Sequence, residues 1–389
     1  MADFGNFIYF DNNATTPVDQ RVLEAMLPFL KSDFANASSS HLFGQSINKK
    51  VHQAREEIAS FLNAEPNEIV FTSGATEAIN IALKGVASSY ASKGKHIVTV
   101  STEHYAVLDT CKYLEDLGFE VSYLSVSKEG LIDLCELRNL LRVDTILVSV
   151  MYVNNETGVI QPIKEISDLV HEAGALFMSD TTQAAGKLIV DVKELGIDIL
   201  CLSGHKMYAP KGIGVLFFNQ SSIKVRLTSF VHGGGHERGY RSGTLNVPGI
   251  IALAKACEIA KNEMKQDEDK IIILRNSLEE KLLQIEGSFV NSSRTNRIYN
   301  TTNICFPHVD ASVLVGRLGN VAVSNGSACT SLLVEPSHVL TAMGLSKEEA
   351  FSSIRFSLGR FSSLKEVQYV CLLVLKIHSS SKETITYGL

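Results

Sequence analysis

Four short stretches of the chain carry side chains suited to chemistry. In Phe71-Thr72-Ser73-Gly74-Ala75-Thr76-Glu77 an apolar, strand-like run turns through glycine into a segment of helical period. The unpaired N–H groups and positive dipole end of such a helix make an anion site, and the same residues also read as an ordinary helix entry capped by Glu77. Gly233 to Thr244, rich in small residues, could add backbone donors to that first site or be a flexible loop. Asp180 ends another apolar run and is followed by Gln183. A carboxylate there suits a protonated pyridine nitrogen, because an ion pair keeps that ring an electron sink; a helix cap or a surface turn acid is the plainer reading. Ser203-Gly204-His205-Lys206 follows a third run. Lysine amines form Schiff bases when burial or a neighbouring cation lowers their pKa, although a lone lysine is ordinarily a solvated charge. Finally, Ser324 to Ser331 places Cys329 among small residues between a strand-like and a helix-like segment. That composition favours an exposed, reactive thiol over the inert core cysteine that is the commoner case.

These groups need elements to hold them. From about Glu68 to Phe218, short apolar runs alternate with helical segments, the pattern of a parallel sheet flanked by helices. Strands are expected at Ile69–Thr72, His96–Ser101, Glu120–Val126, Thr145–Met151, Ala175–Ser179, Ile199–Ser203 and Gly214–Phe218. Helices are expected at Ser46–Leu62, Thr76–Ser92, Ala106–Leu117, Leu134–Leu141 and Ile163–Glu172. Ligands of such α/β folds bind outside the carboxyl ends of the strands, where three of the four stretches lie. After Pro248 a helical stretch runs to about Ile285, its apolar residues recurring every three or four positions, and reads as a connector. Beyond it, Asn300–Phe306, Val321–Ser324 and Ser352–Ser357 are strand-like. Asp310–Leu318, Pro336–Met343 and Leu364–Ile377 are helical, which suggests a smaller α+β domain. The polar tail from His378 to Leu389 is expected to be mobile.

A chain of 389 residues is long enough for two domains. Hydrophobic residues at 45% and charged residues at 20% are ordinary globular proportions. The net charge of −6 is interleaved rather than blocked, which points away from nucleic acid and membrane surfaces and toward a small-molecule substrate or a protein partner. Seven scattered cysteines without a Cys-x-x-Cys pair argue against a disulfide framework and a zinc site, and for a reducing, cytoplasmic setting. No apolar run approaches the length of a membrane span.

Together the stretches resemble the cofactor layout of fold type I pyridoxal-phosphate enzymes and, within them, the cysteine desulfurases of the NifS/IscS type in the class V aminotransferase family. The resemblance runs from Tyr9-Phe10-Asp11-Asn12-Asn13-Ala14-Thr15-Thr16-Pro17 to Ile354-Arg355-Phe356-Ser357-Leu358-Gly359-Arg360. Between them lie Asn36–Gly44, Thr72–Glu77, Glu103-His104, Val153-Asn154-Asn155-Glu156, Asp180–Gln183, Ser203–Lys206, Gly233–Thr244 and the Cys329 segment.

The resemblance implies an α/β transferase with a large, mostly parallel-sheet domain at 15–260 and a smaller α+β domain made of 1–14 and 261–389. It implies pyridoxal 5'-phosphate as cofactor, with Lys206 as the Schiff-base lysine. Asp180 would pair with the pyridinium nitrogen, Gln183 would bond the ring hydroxyl and His104 would stack on the ring. Ala75, Thr76, Ser203 and His205 would hold the phosphate, joined by the partner subunit's Thr244, which implies a homodimer. Asn155 and Arg355 would bind the substrate carboxylate. L-cysteine would become L-alanine, and Cys329 would carry the sulfur as a persulfide to an acceptor such as an iron–sulfur scaffold. Glu383–Leu389 does not resemble the extension that family members use to dock on such a scaffold, so the acceptor stays open. An aminotransferase of the same fold needs no thiol at Cys329; a selenocysteine lyase could use one.

Overall fold

The computed structural model describes residues 7–325 and 335–386, so Cys329 lies outside the described residues. Twelve strands are present among them: β1 (Ile8–Tyr9), β2 (Ile69–Thr72), β3 (His96–Val100), β4 (Glu120–Leu124), β5 (Thr145–Ser149), β6 (Leu176–Asp180), β7 (Ile199–Ser203), β8 (Gly214–Phe218), β9 (Phe289–Val290), β10 (Thr301–Cys305), β11 (Val321–Ala322) and β12 (Ser353–Ser357). The seven strands from β2 to β8 form one sheet in the order β2-β8-β7-β6-β5-β3-β4, in which only β8 runs against the rest. This is the large, mostly parallel sheet expected from the alternation of apolar runs and helices. The side chains of β7 explain why those runs are continuous rather than alternating. Ile199 and Cys201 enter the core under the helices Ala75–Tyr90 and Tyr105–Asp116, while Leu200 and Leu202 enter the core on the opposite face.

Two smaller sheets complete the fold. One is antiparallel, in the order β12-β10-β9; the other pairs β1 with β11 in parallel. Bridges from Asp11 to Ser357 and from Ser324 to Arg355 join these sheets edge to edge. A 36-residue helix, Val247–Leu282, runs about 54 Å at 1.5 Å per residue and carries the chain from the large sheet to the smaller ones. Its buried face includes Ile250, Leu253, Cys257, Ile271, Leu274, Leu278 and Leu282, and the helices Leu42–Leu62 and Leu364–Thr386 pack along it.

Two expectations about helices are corrected. The helix expected from Ser46 starts at Leu42, because the His41 ring accepts the Gly44 N–H at 3.1 Å and caps it, a residue type seldom found in that role. The helix expected to end at Ile377 continues to Thr386. Polarity alone does not stop a helix, and no glycine or proline occurs there before Gly388.

Candidate active site

The carboxyl ends of β2, β6 and β7, the loop after β3, the N-terminal segment around Asn13 and Arg355 of β12 converge on one cleft of about 580 Å³. On its floor, β2 ends at Thr72 and the chain turns into the helix Ala75–Tyr90, whose first internal bond runs from the Ala78 N–H to the Gly74 carbonyl at 3.1 Å. Gly74 has no side chain with which to cap that helix, so the N–H groups of Ala75 and Thr76 face the cleft without an intrahelical acceptor. Glu77 does cap, as the plainer reading expected, but it accepts the Ser73 N–H and leaves the next ones free. Arg241 holds Glu77 through an Nε to Oε1 bond of 2.9 Å, which ties the Gly233–Thr244 stretch to the same turn. Gly214 of β8 lies so close behind the turn that a Cβ there would stand 2.6 Å from Gly74 Cα.

Lys206 occupies the turn after β7. Its ammonium donates to the carbonyls of Asn13 at 2.7 Å and Ala14 at 2.6 Å. Burial, reinforced by Arg355, pulls its pKa down to about 8, against the opposing pull of Asp11 and Asp180. Burial and the neighbouring Lys206, Lys211 and Lys187 push the His205 imidazole down to about 4, so it is neutral, and its Nδ1 lies 3.1 Å from Thr15 Oγ1. Ser203, the last residue of β7, lines the same wall.

Asp180 is the final residue of β6, buried at the cleft wall, and its Oδ1 accepts the Thr182 N–H at 2.9 Å. Gln183 follows in the same turn and donates through Nε2 to the Asn13 carbonyl at 2.9 Å. His104 stands across the cleft with one side open to it. The enclosure of its other sides, together with Lys206 and His338, lowers its pKa despite Asp180. Its Nδ1 accepts the Ala106 N–H at 3.0 Å, which leaves the proton of the neutral ring on Nε2. Behind it, Glu103 is fully buried and burial pushes its pKa well up. One of its oxygens accepts the Met151 N–H, while Oε2 has no partner among the described residues.

Arg355 closes the other side. Its Nη1 donates to the Asn155 carbonyl at 3.0 Å and its Nη2 to Asp11 Oδ1 at 2.6 Å. Each of these nitrogens carries a second N–H, so the guanidinium keeps donors for an incoming anion, while its buried Nε has no partner among the described residues. The cleft thus brings together Ala75, Thr76, His104, Asn155, Asp180, Gln183, Ser203, His205, Lys206 and Arg355. Thr244 is exposed and does not line the cleft of its own chain, and Cys329 lies outside the described residues.

Sequence reasoning gave no role to Asn13, although its carbonyl accepts both Lys206 and Gln183. Its side chain donates to the Asn155 carbonyl at 3.0 Å and Thr301 Oγ1 at 2.9 Å, and accepts from Asn300 at 3.1 Å. Its one signal was its place in the Asp11-Asn12-Asn13 run. Lys187 carries no signal in the sequence either, because a single lysine four residues after Gln183 reads as a surface charge.

The class-V aminotransferase family matches residues 8–370. The cysteine desulfurase IscS of Anaeromyxobacter sp. (strain Fw109-5) is 51% identical over 371 residues, covering 95% of this chain and 92% of that protein. The cysteine desulfurase IscS of Pectobacterium carotovorum subsp. carotovorum (strain PC1) is 50% identical over 372 residues, with the same coverage. Among solved structures, a NifS-like protein superposes with a TM-score of 0.90 at 38% identity, covering 96% of this chain and 99% of that one.

Proposed function

The chain belongs to the class-V aminotransferase family, whose members are generally pyridoxal-phosphate enzymes, and we propose that it uses this cofactor as a cysteine desulfurase, converting L-cysteine to L-alanine. The observation that carries the reading is a single cleft in which the Lys206 amine, the Asp180 carboxylate and the free first N–H groups of a helix lie together. That donor set fits pyridoxal 5'-phosphate. The N–H groups of Ala75 and Thr76, with Ser203 and His205, suit a phosphate; Asp180 suits a protonated ring nitrogen, Gln183 a ring oxygen, His104 the ring face and Lys206 an aldehyde carbon. When bound, the cofactor supplies the electron sink that makes the α-proton of an amino acid acidic.

The remaining work belongs to the chain's own residues. Arg355, oriented by Asp11, and Asn155 hold the substrate carboxylate, a task suited to a planar fork of donors. Lys206, whose lowered pKa lets it accept and return a proton near neutrality, moves the proton at the α-carbon. His104 presents its Nε2 proton to the cleft. The Cys329 thiolate attacks the substrate sulfur: an S–S bond forms as the carbon–sulfur bond breaks, the electron pair stays with carbon and a proton follows it. The products are L-alanine and a Cys329 persulfide, with no external oxidant or reductant.

The persulfide goes to an acceptor protein serving iron–sulfur cluster or thio-cofactor biosynthesis. The site is completed in a homodimer, where the partner subunit's Thr244 joins the phosphate donors; the exposure of this residue outside its own cleft supports that reading. We assign 15–260 to a large cofactor-binding unit, and 1–14 with 261–389 to a smaller one carrying Cys329. The enzyme acts in the cytoplasm, a setting supported by six free cysteines among the described residues; no helix among those residues is long and apolar enough to cross a membrane.

L-cysteine with a reductant should yield alanine and sulfide in equal amounts, and mass spectrometry should find one added sulfur on the Cys329 peptide before reduction. Cys329→Ser should lose sulfide release while keeping the visible absorption of the bound cofactor. Undiminished sulfide release by that variant would overturn the persulfide route.

A further inference from the structure

The turn after β6 holds a second lysine that the chemistry above does not use. Lys187 is buried, 8% exposed. Among the described residues its ammonium donates only to uncharged oxygens, the Gln183 carbonyl at 3.1 Å, Gln183 Oε1 at 3.2 Å and the Lys206 carbonyl at 3.5 Å. A cation so deep without a counter-charge costs several kcal/mol, and burial with the nearby Lys206 pulls its pKa down to about 7. Packing alone would be served as well by an apolar side chain, so the cost argues for a role.

The partners of Lys187 lie on two turns. Gln183 belongs to the turn after β6, which also carries Asp180, and Lys206 to the turn after β7. The turns meet closely, since a Cβ on Gly186 would stand 2.9 Å from Met207 Cβ. With Oε1 engaged by Lys187, the Gln183 amide can offer the cleft only its Nε2 end. One N–H of that end reaches the Asn13 carbonyl and the other is left for a ligand.

We infer that Lys187 is a positioning residue, which fixes Gln183 as a donor toward an anionic ring oxygen of the cofactor and holds the Lys206 turn in register with Asp180. The inference rests on the pyridoxal-phosphate reading above. Lys187 does not itself line the cleft, so its effect passes through Gln183 and through its charge. The other charged and titratable groups around Lys206 are Asp11, Asp180, Arg355, Lys211, His104 and His205, none of which a substitution at Lys187 removes.

The test uses the full chain reconstituted with pyridoxal 5'-phosphate. Lys187→Met should weaken the cofactor dissociation constant by about fivefold or more. It should also raise the pH midpoint of the cofactor's visible absorption by about half a unit or more, because a nearby positive charge has gone. Lys187→Gln, which restores a donor to Gln183 without the charge and also serves if the Met variant folds poorly, should recover affinity while keeping the raised midpoint. In a Gln183→Ala background, Lys187→Met should add little further loss of affinity. An unchanged midpoint with unchanged affinity, or additive losses in the double variant, would overturn the assignment. Failure of the unaltered protein to take up pyridoxal phosphate would instead remove the functional reading itself.

Discussion

At pH 7 a lysine of ordinary pKa is almost wholly ammonium and cannot attack an aldehyde. With its pKa drawn down to about 8 by burial and Arg355, Lys206 keeps about a tenth of its amine free at that pH. Uptake of pyridoxal phosphate by the apoprotein should therefore accelerate with rising pH and reach half its limiting rate near pH 8; a rate still climbing steeply above pH 10 would contradict this. Arg355 makes a separate prediction. Lysine in its place loses the planar fork, so Arg355→Lys should raise the KM for L-cysteine by about 10- to 100-fold with a smaller change in kcat, as steady-state kinetics would read. Lys206 and Asp180 were legible in the sequence because they stand at the ends of recognisable runs, whereas Arg355, in the middle of a strand, was marked only by the family resemblance. Asn13 was not legible, since all its bonds reach residues far along the chain, from Asn155 to Asn300 and Thr301, and no local pattern encodes them.

Among the elements, β8 controls the strand ends beside the cleft, and the helix Ile163–Glu172 holds the opposite, amino ends of β6 and β7. Replacing Gly214 with alanine would drive a methyl into Gly74 Cα and the Leu202 carbonyl, each 2.6 Å away. The Gly214→Ala protein should melt lower and bind pyridoxal phosphate at least about tenfold more weakly. The helix is held by His171, whose Nε2 lies 2.8 Å from Asp198 Oδ2, the oxygen that also accepts the Phe177 N–H of β6. The hydrogen bond to Asp198 raises the His171 pKa above its ordinary value, despite partial burial. Stability from a raised histidine is complete below the unfolded pKa of about 6.5 and fades as pH climbs through the folded one. His171→Ala should therefore destabilise the protein more at pH 5.5 than at pH 8.5 in denaturant melts, and an equal loss at both would dismiss the pair. The core strands were readable from their apolar runs, because a strand buried on both faces leaves few other interpretations. Helix ends were less so. The start at Leu42 depends on a histidine cap, and the extension to Thr386 on the mere lack of a breaker.

On the scale of the whole molecule, the exposed Thr244 and the Lys206 cleft should belong to different copies of the chain at each working site. Lys206→Ala and Thr244→Ala proteins, each impaired alone, should regain activity when their subunits are exchanged, because one site of the mixed dimer then has both residues intact. An activity that stays at the sum of the separate variants would rule out a shared site. Such sharing could not be derived from run lengths or turns, since a strand pattern describes one chain and is silent about its neighbour. The bridge between Ser324 and Arg355 has a further consequence. The strand that carries Arg355 also pins, backbone to backbone, the point from which the chain departs toward Cys329. Five residues separate that pin from Cys329, and at no more than about 3.6 Å each they can span about 18 Å at most. On the function proposed above, sulfur carried on Cys329 is held on a short leash rather than a long arm, and an acceptor should have to come up to the rim of the cleft to collect it.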